Sequence, residues 1–214
     1  MSEIRLNDIL KNRNILSPSN YVNVHINSDT QIELKKLIDS VDKGVEIGSN
    51  NYVDESNYKF IRTAALTDYK LSIEEDDNSV LRITSNSFVN MNLKEDDILI
   101  CKDSNVGEVV ILDKDYGNYM FSSGVNRLNI SKNKFYIFAI MKNRKFKEQF
   151  ISKIPKGATI MNGKNLYLDC LIPFPKDKKS INYIEDLVKI VINKEKEIKY
   201  KKSEIDRIIE NELY

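Results

Sequence analysis

The residues able to do chemistry are few. One histidine, His25, stands in a chain of 214 residues, so imidazole acid–base catalysis, a zinc hydrolase centre and a Ser/His/Asp triad have almost nothing to be built from. His25 is therefore read as a structural or surface residue. Cys101 and Cys170 each lie within an apolar run, which suits buried reduced thiols better than a disulfide or a metal pair. The carboxylate runs EEDD (74–77) and KEDD (94–97) fall at turns and lack the spacing of a calcium loop. No phosphate loop of the GxxxxGKS/T type and no GxGxxG after a strand is present, which removes two nucleotide-binding folds. The triplet EIK at 197–199 matches the end of a nuclease signature, but it sits in a helical pattern without a preceding strand carboxylate. No catalytic set, metal site or cofactor site is expected.

What the chain does offer is polar side chains at turns. Phosphates are held by cationic and hydroxyl donors, and base edges are read by amides, hydroxyls and guanidinium groups. The loop at 49–52 carries Asn50 and Tyr52, and the stretch 101–107 carries Lys102, Ser104 and Asn105 ahead of a glycine. Residues 117–127 supply Asn118, Tyr119, Ser122, Ser123 and Arg127; residues 155–165 supply Lys156, Thr159, Lys164 and Asn165. Loops are polar because they are wet, so any one of these residues alone says little.

Charge adds a direction. The net charge is only +1, yet residues 66–116 hold 5 Lys/Arg against 12 Asp/Glu and residues 142–179 hold 10 against 3. One face can thus meet a polyanion while another repels it. The lysines and arginines of 142–164 are the expected phosphate contacts. At 41% hydrophobic and 30% charged residues, the composition is that of a soluble globular protein. No apolar stretch approaches the roughly 20 residues of a membrane span, and the N-terminus lacks a signal-peptide layout. A cytoplasmic location is the expectation.

The elements that must position these turns are mainly strands. Residues 1–31 read as a lead-in, with a short helical pattern (Ile4, Leu6, Ile9, Leu10) and an alternating VNVHI at 22–26. Apolar residues at Ile32, Leu34, Leu37, Ile38 and Val41, behind a capping Thr30, predict a helix over 30–41. From 59 to about 140 strand patterns alternate with turns: YKFIRTAAL, SVLRITS, DILICK, GEVVIL, YMFSSGVNRLNI and KFYIFAI. That spacing suits a barrel or a curled sheet. A single helix is expected over 137–154. The run Leu166, Leu168, Cys170, Ile172 alternates like a strand, which Pro173 and Pro175 should end.

The last 34 residues contain neither glycine nor proline and predict one long helix. Ile184, Val191, Ile198 and Ile205 recur every seven residues along it, and a row four residues on holds Val188, Glu195, Lys202 and Ile209. The seam fits a partner helix, interrupted by its polar members. Ile184, Val188, Val191, Ile198, Ile205 and Ile209 are its expected contacts.

The order of these pieces resembles a target recognition domain from the specificity subunit of type I restriction–modification systems. The resemblance covers about residues 32–213, including LKEDDILICKDSNVGEVVIL, and is most specific in the strand–loop–glycine stretch around 97–111 and in NGKNLYLDCLIPFP (162–175) followed by a helix. Asp96-Asp97 stands where the family more often has Gly-Asp. The resemblance implies an α/β (α+β) fold: a curled, mostly antiparallel β recognition domain with peripheral helices, then one long C-terminal helix. It divides the chain into a lead-in (1–31), a recognition domain (32–175) and a spacer helix (176–214). It implies a non-catalytic module that takes double-stranded DNA at its loops and delivers an adenine-specific DNA methyltransferase subunit, with or without a restriction subunit, to a half-site. A full specificity subunit has two such domains, so a second copy or second half-subunit would pair through the helix. Two alternatives stand beside this: an assembly adaptor that works through the helix alone, and a recognition-domain fragment of a fused restriction–methyltransferase enzyme.

Overall fold

Strand β5 (Ile98–Cys101) is buried along its whole length, and the rest of the fold is arranged round it. A computed structural model describes residues 30–68, 70–76, 78–155 and 162–213; the patterns expected within 1–29, and Lys156 and Thr159, lie outside those residues. Among them, β2 (Ser40–Lys43), β8 (Val125–Asn129), β5 and β6 (Val109–Ile111) form one antiparallel sheet in that order. A second sheet runs β4 (Val80–Arg82), β3 (Lys59–Ile61), β7 (Tyr119–Phe121), with β3 antiparallel to β4 and parallel to β7. A third pairs β1 (Thr30–Glu33) with β9 (Leu171–Phe174). The strands therefore make a mixed, mostly antiparallel α/β domain rather than a closed barrel.

The period-2 alternation of β5 explains why its run is apolar throughout. Ile98 and Ile100 face a core shared with the helices, while Leu99 and Cys101 face a second core against Ile61, Val80 and Phe121. A strand covered on both faces has no polar side to show. Burial pushes the Cys101 thiol upward and the Cys170 thiol up to about 12, so both are inert at neutral pH.

Three local expectations are corrected. Residues 30–41 form β1, a 3-10 turn (Leu34–Lys36) and the start of β2 rather than a helix. The same apolar positions are satisfied by pairing: Ile32 lies opposite Ile172, the Leu34 amide donates to Cys170 O, and Val41 lies opposite Leu128. The KFYIFAI segment is not a strand but helix α1 (Lys134–Lys142), and α2 (Arg144–Lys153) is separate from it. Seven consecutive residues rich in apolar side chains fit either state, and periodicity alone does not choose. The break comes at Asn143, whose extended backbone and side-chain acceptor for the Lys145 amide cap the second helix. Finally, Leu166–Asp169 is a 3-10 turn and only Leu171–Phe174 is extended, with Pro173 inside the strand. Proline is tolerated there because β9 is the edge of a two-stranded sheet.

Helix α3 (Lys178–Leu213) has 36 residues, about 54 Å. Its first half is docked: Ile181 and Ile192 are buried in the main core, and Ile184 and Val188 are packed on it. Glu185 accepts from the Tyr136 amide in the first turn of α1, supplying a cap that Asn133 does not. Farther on, Lys199 reaches Asp113 at 2.9 Å. Burial alone would raise the Asp113 carboxyl, but hydrogen bonds from Ser72, Lys199 and Tyr116 outweigh it and hold it at about 2. A folded value below the ordinary one stabilises above the ordinary value and stops doing so as pH falls through the folded one. Asp113→Asn should thus lose about 2 kcal/mol at neutral pH. In urea unfolding the gap to the parent should close as pH falls from about 4 toward 2. A gap that did not change with pH would refute the assignment. Among the described residues no helix is long and apolar enough to cross a membrane.

Candidate functional site

The end of β5 is where separated parts of the chain meet. The Lys102 and Asp103 amides both donate to Gly124 O in the turn between β7 and β8 (2.9 and 3.4 Å). Lys102 O in turn accepts from the Gly163 amide at 2.6 Å, and Asp103 bridges to Asn162. The Asn105 side chain donates to Thr63 O at 3.3 Å, just after β3. Four segments that are far apart in sequence thus form one rim: 63–65, 102–105, 122–124 and 162–165. Gly163 is required there, since a Cβ would collide with the Phe150 ring and lie 2.9 Å from Lys102 O. Asn126, fully buried beneath the rim, ties it to the core by donating to the Tyr167 hydroxyl (2.7 Å) and to Asn165 Oδ1 (3.3 Å).

Of the sequence-predicted residues, Lys102, Ser104, Asn105, Ser122, Ser123, Lys164 and Asn165 come together on this rim. Ser104, Asn105, Lys164 and Asn165 are exposed, and Ser104 and Lys164 adopt left-handed backbone (φ 59° and 46°) that tight turns demand. Lys102 is half-engaged, its ammonium 2.7 Å from Asp103. A cleft of about 480 Å³ opens beside Ser104 and Asn105, toward Asp68, Glu108 and Lys147.

Asn50, Tyr52, Asn118 and Tyr119 gather at the opposite end of the second sheet. Tyr52 bridges to Ile83 past the end of β4, and Asn118 O accepts the Lys59 amide at the start of β3. The Tyr119 hydroxyl lies between Lys59 Nζ (2.8 Å) and Glu75 (3.1 Å). A cleft of about 490 Å³ is lined here by Tyr52, Lys59, Glu75 and Arg82. Lys59 and Arg82 are direct cross-strand partners. Sequence reasoning passed over both because they sit inside strands; the signal was a cation at the outer end of each of two paired runs.

Several cations are committed within the fold. Arg127 donates to Asp42 (2.6 Å), to Asp97 (3.0 Å) and to the carbonyls of Met91 and Asn92, so its guanidinium clamps β8, β2 and two turns. Lys142 was expected at phosphates; its ammonium instead donates to the carbonyls of Thr67, Lys70 and Val109 at 2.9–3.0 Å. Burial holds it below the usual lysine range. Lys147 is paired with Glu108 and Asp68, and burial pushes the Glu108 carboxyl up against the pull of that lysine. Among the described residues of the segment, the exposed basic side chains are Arg144, paired with Glu148, together with Lys145 and Lys164.

The partner seam divides in two. Ile184 and Val188 pack on the domain, while Val191, Ile198, Ile205 and Ile209 are 47, 55, 56 and 39% exposed. The row four residues on turns toward the domain at Val188 and at Glu195, which accepts the Leu71 amide. The exposed stripe continues instead through Leu187, Ile190 and Ile208. It lies about a third of a turn round the helix from the docked face.

No family model matches this chain, and no curated protein sequence does. Among solved structures it is similar to the S subunit of the type I restriction–modification system of M. genitalium (TM-score 0.51, 16% identity, 79% of this chain and 40% of that one). It is similar to a chain from a structure of the assembly and conformational transition of a type I restriction–modification system (0.51, 15%, 95% and 48%). A third match is the HsdS subunit from Thermoanaerobacter tengcongensis (0.50, 14%, 90% and 45%). The chain spans less than half the length of each. What is shared at these identities is architecture: the chain has a target-recognition-domain-like fold, a mixed sheet domain carrying one long helix.

Proposed function

We propose that the chain is a non-catalytic DNA sequence-recognition module of a type I restriction–modification system. It directs an adenine-specific methyltransferase subunit, and a restriction subunit where one is present, to one half of a bipartite site. The observation that carries this reading is the rim: four distant segments converge at one end of a sheet and expose amides, hydroxyls and a lysine there. The fold shared with type I S subunit structures supports the same reading. Ser104, Asn105, Ser122, Ser123 and Asn165 are the base readers, with Lys102 and Lys164 at phosphates. Lys156 and Thr159 belong to the same loop in sequence, and Asn50, Tyr52, Asn118 and Tyr119 form a second contact region. Arg127 supports the rim from below. The exposed stripe of α3 takes the helix of a second copy or second half-subunit.

Sequencing methylated adenines in a host with and without this protein tests the reading directly: one defined motif disappears with the gene. The same motif in a duplex then serves for anisotropy titrations. The two phosphate contacts, Lys102 and Lys164, predict an affinity loss of roughly 12-fold between 50 and 200 mM salt, and Lys164→Gln should reduce the logarithmic salt slope by about one. Binding indifferent to salt, or an unchanged methylome, contradicts the proposal.

A further inference from the structure

The strongly acidic stretch 66–116 has a partner within the molecule. Apolar docking of α3 ends at Ile192, and the next turns make polar contacts to three separate loops of that stretch. Glu195 accepts the Leu71 amide at 3.4 Å, Lys196 pairs with Glu95, and Lys199 pairs with Asp113 at 2.9 Å. Asp113 is itself fixed by Ser72 and Tyr116, each at 2.7 Å, and its side chain is only 13% exposed. Beyond Lys199 the helix leaves the domain: residues 200–211 are exposed except for Glu204, which pairs with Lys201 on the same helix.

We infer that these acidic loops are a seat that aims the projecting arm of α3, with Glu95, Asp113, Lys196 and Lys199 as positioning residues. The exposed Lys196–Glu95 pair adds little stability, but together with Lys199–Asp113 it lengthens the seat. From Ile181 the apolar contact alone spans about 16 Å, and the polar contacts extend it to about 27 Å, under a helix whose tip lies about 48 Å away. A slip of about 1 Å at the end of the shorter seat moves the tip about 3 Å; with the longer seat it moves about 2 Å. One base-pair step is about 3.4 Å. On the reading of the chain as half of a bipartite recognition unit, on which this inference rests, the seat sets how strictly the separation of half-sites is judged, without any of the four residues touching DNA.

Spin labels test it on the full chain. Cysteines replacing Lys132 on the domain and Glu210 on the arm are labelled selectively, because Cys101 and Cys170 are buried, and the sample is diluted with unlabelled protein. In Lys196→Gln/Lys199→Gln the seat ends at Glu195, about 21 Å from Ile181, and the distance distribution should widen roughly 1.3-fold, the ratio of about 27 to about 21 Å. Lys196→Glu alone should widen it as well, and adding Glu95→Lys should restore the narrow distribution, which mere loss of folding would not do. An unchanged width in the glutamine variant overturns the inference, as does failure of the charge swap to restore it. A second arm uses duplexes carrying the methylated motif with its spacer lengthened or shortened by one base pair. The glutamine variant should bind the altered spacers within about threefold of the natural one, where the parent discriminates tenfold or more, and retained discrimination counts against the inference. Absence of any duplex binding by the parent would defeat the recognition reading, while the label distances still decide the seat.

Discussion

Arg127→Met is expected to lower the unfolding free energy by about 3 kcal/mol, the low end for removal of one partner from a buried ion pair, because Arg127 and Asp97 are largely covered while Asp42 is 42% exposed. In a chain of this size that shifts the thermal midpoint down by roughly 6–12 °C. The guanidinium holds Asp42 on β2 and Asp97 before β5, and it is the donor for the carbonyls of Met91 and Asn92. Without it Asp97, 17% exposed, keeps only the Lys94 amide as a donor from this group. Adding Asp97→Asn should recover about 1 kcal/mol by removing the stranded charge. A loss below about 1 kcal/mol in the single variant would mean that solvent replaces the arginine, and that Arg127 is free to act at a ligand.

Gly44→Ala should be as costly, for a steric reason. A Cβ at Gly44 would overlap the Ser122 carbonyl and lie 2.7 Å from Phe121 O. Here the chain passes from β2 to the edge of β7, with Val45 donating to Phe121 O and accepting from the Ser123 amide. Backbone cannot rotate away as a side chain can, so the turn at 122–124 must shift, at about 3 kcal/mol. Because that turn anchors the rim, the proposed function predicts that the preference for the methylated motif over unrelated duplex, measured by anisotropy, falls about tenfold or more while salt-driven non-specific binding persists. Gly117→Ala is the control: a Cβ there meets nothing within 4 Å, and a change within about 0.5 kcal/mol is expected. Equal behaviour of the two variants would remove the packing argument.

What could be read from the sequence followed from the range of the interactions involved. β5 and β6 were legible because ILIC and VVI are short apolar runs bounded by turn residues, and α3 because 34 residues without a breaker leave little else. Residues 30–41 misled, since Ile32, Leu34 and Val41 satisfy a helical period but are used in pairing with Ile172 and Leu128, partners about 90 to 140 positions away. The rim was legible as a set of polar turns and not as a place. Only tertiary contacts bring Thr63, Asn105, Gly124 and Gly163 side by side, and only they reveal that Lys142 and Arg127 are spent inside.

The two faces of α3 differ in what they answer to. One contributes to the core through Ile181 and Ile192, the other shows Leu187, Val191, Ile198 and Ile205 to the outside, and few side chains belong to both. Sites with no shared neighbours act independently, so on the proposed function drift in the outward stripe can exchange one helix partner for another without loosening the domain it is built on. A lineage could in this way keep the folded domain while changing the company it keeps.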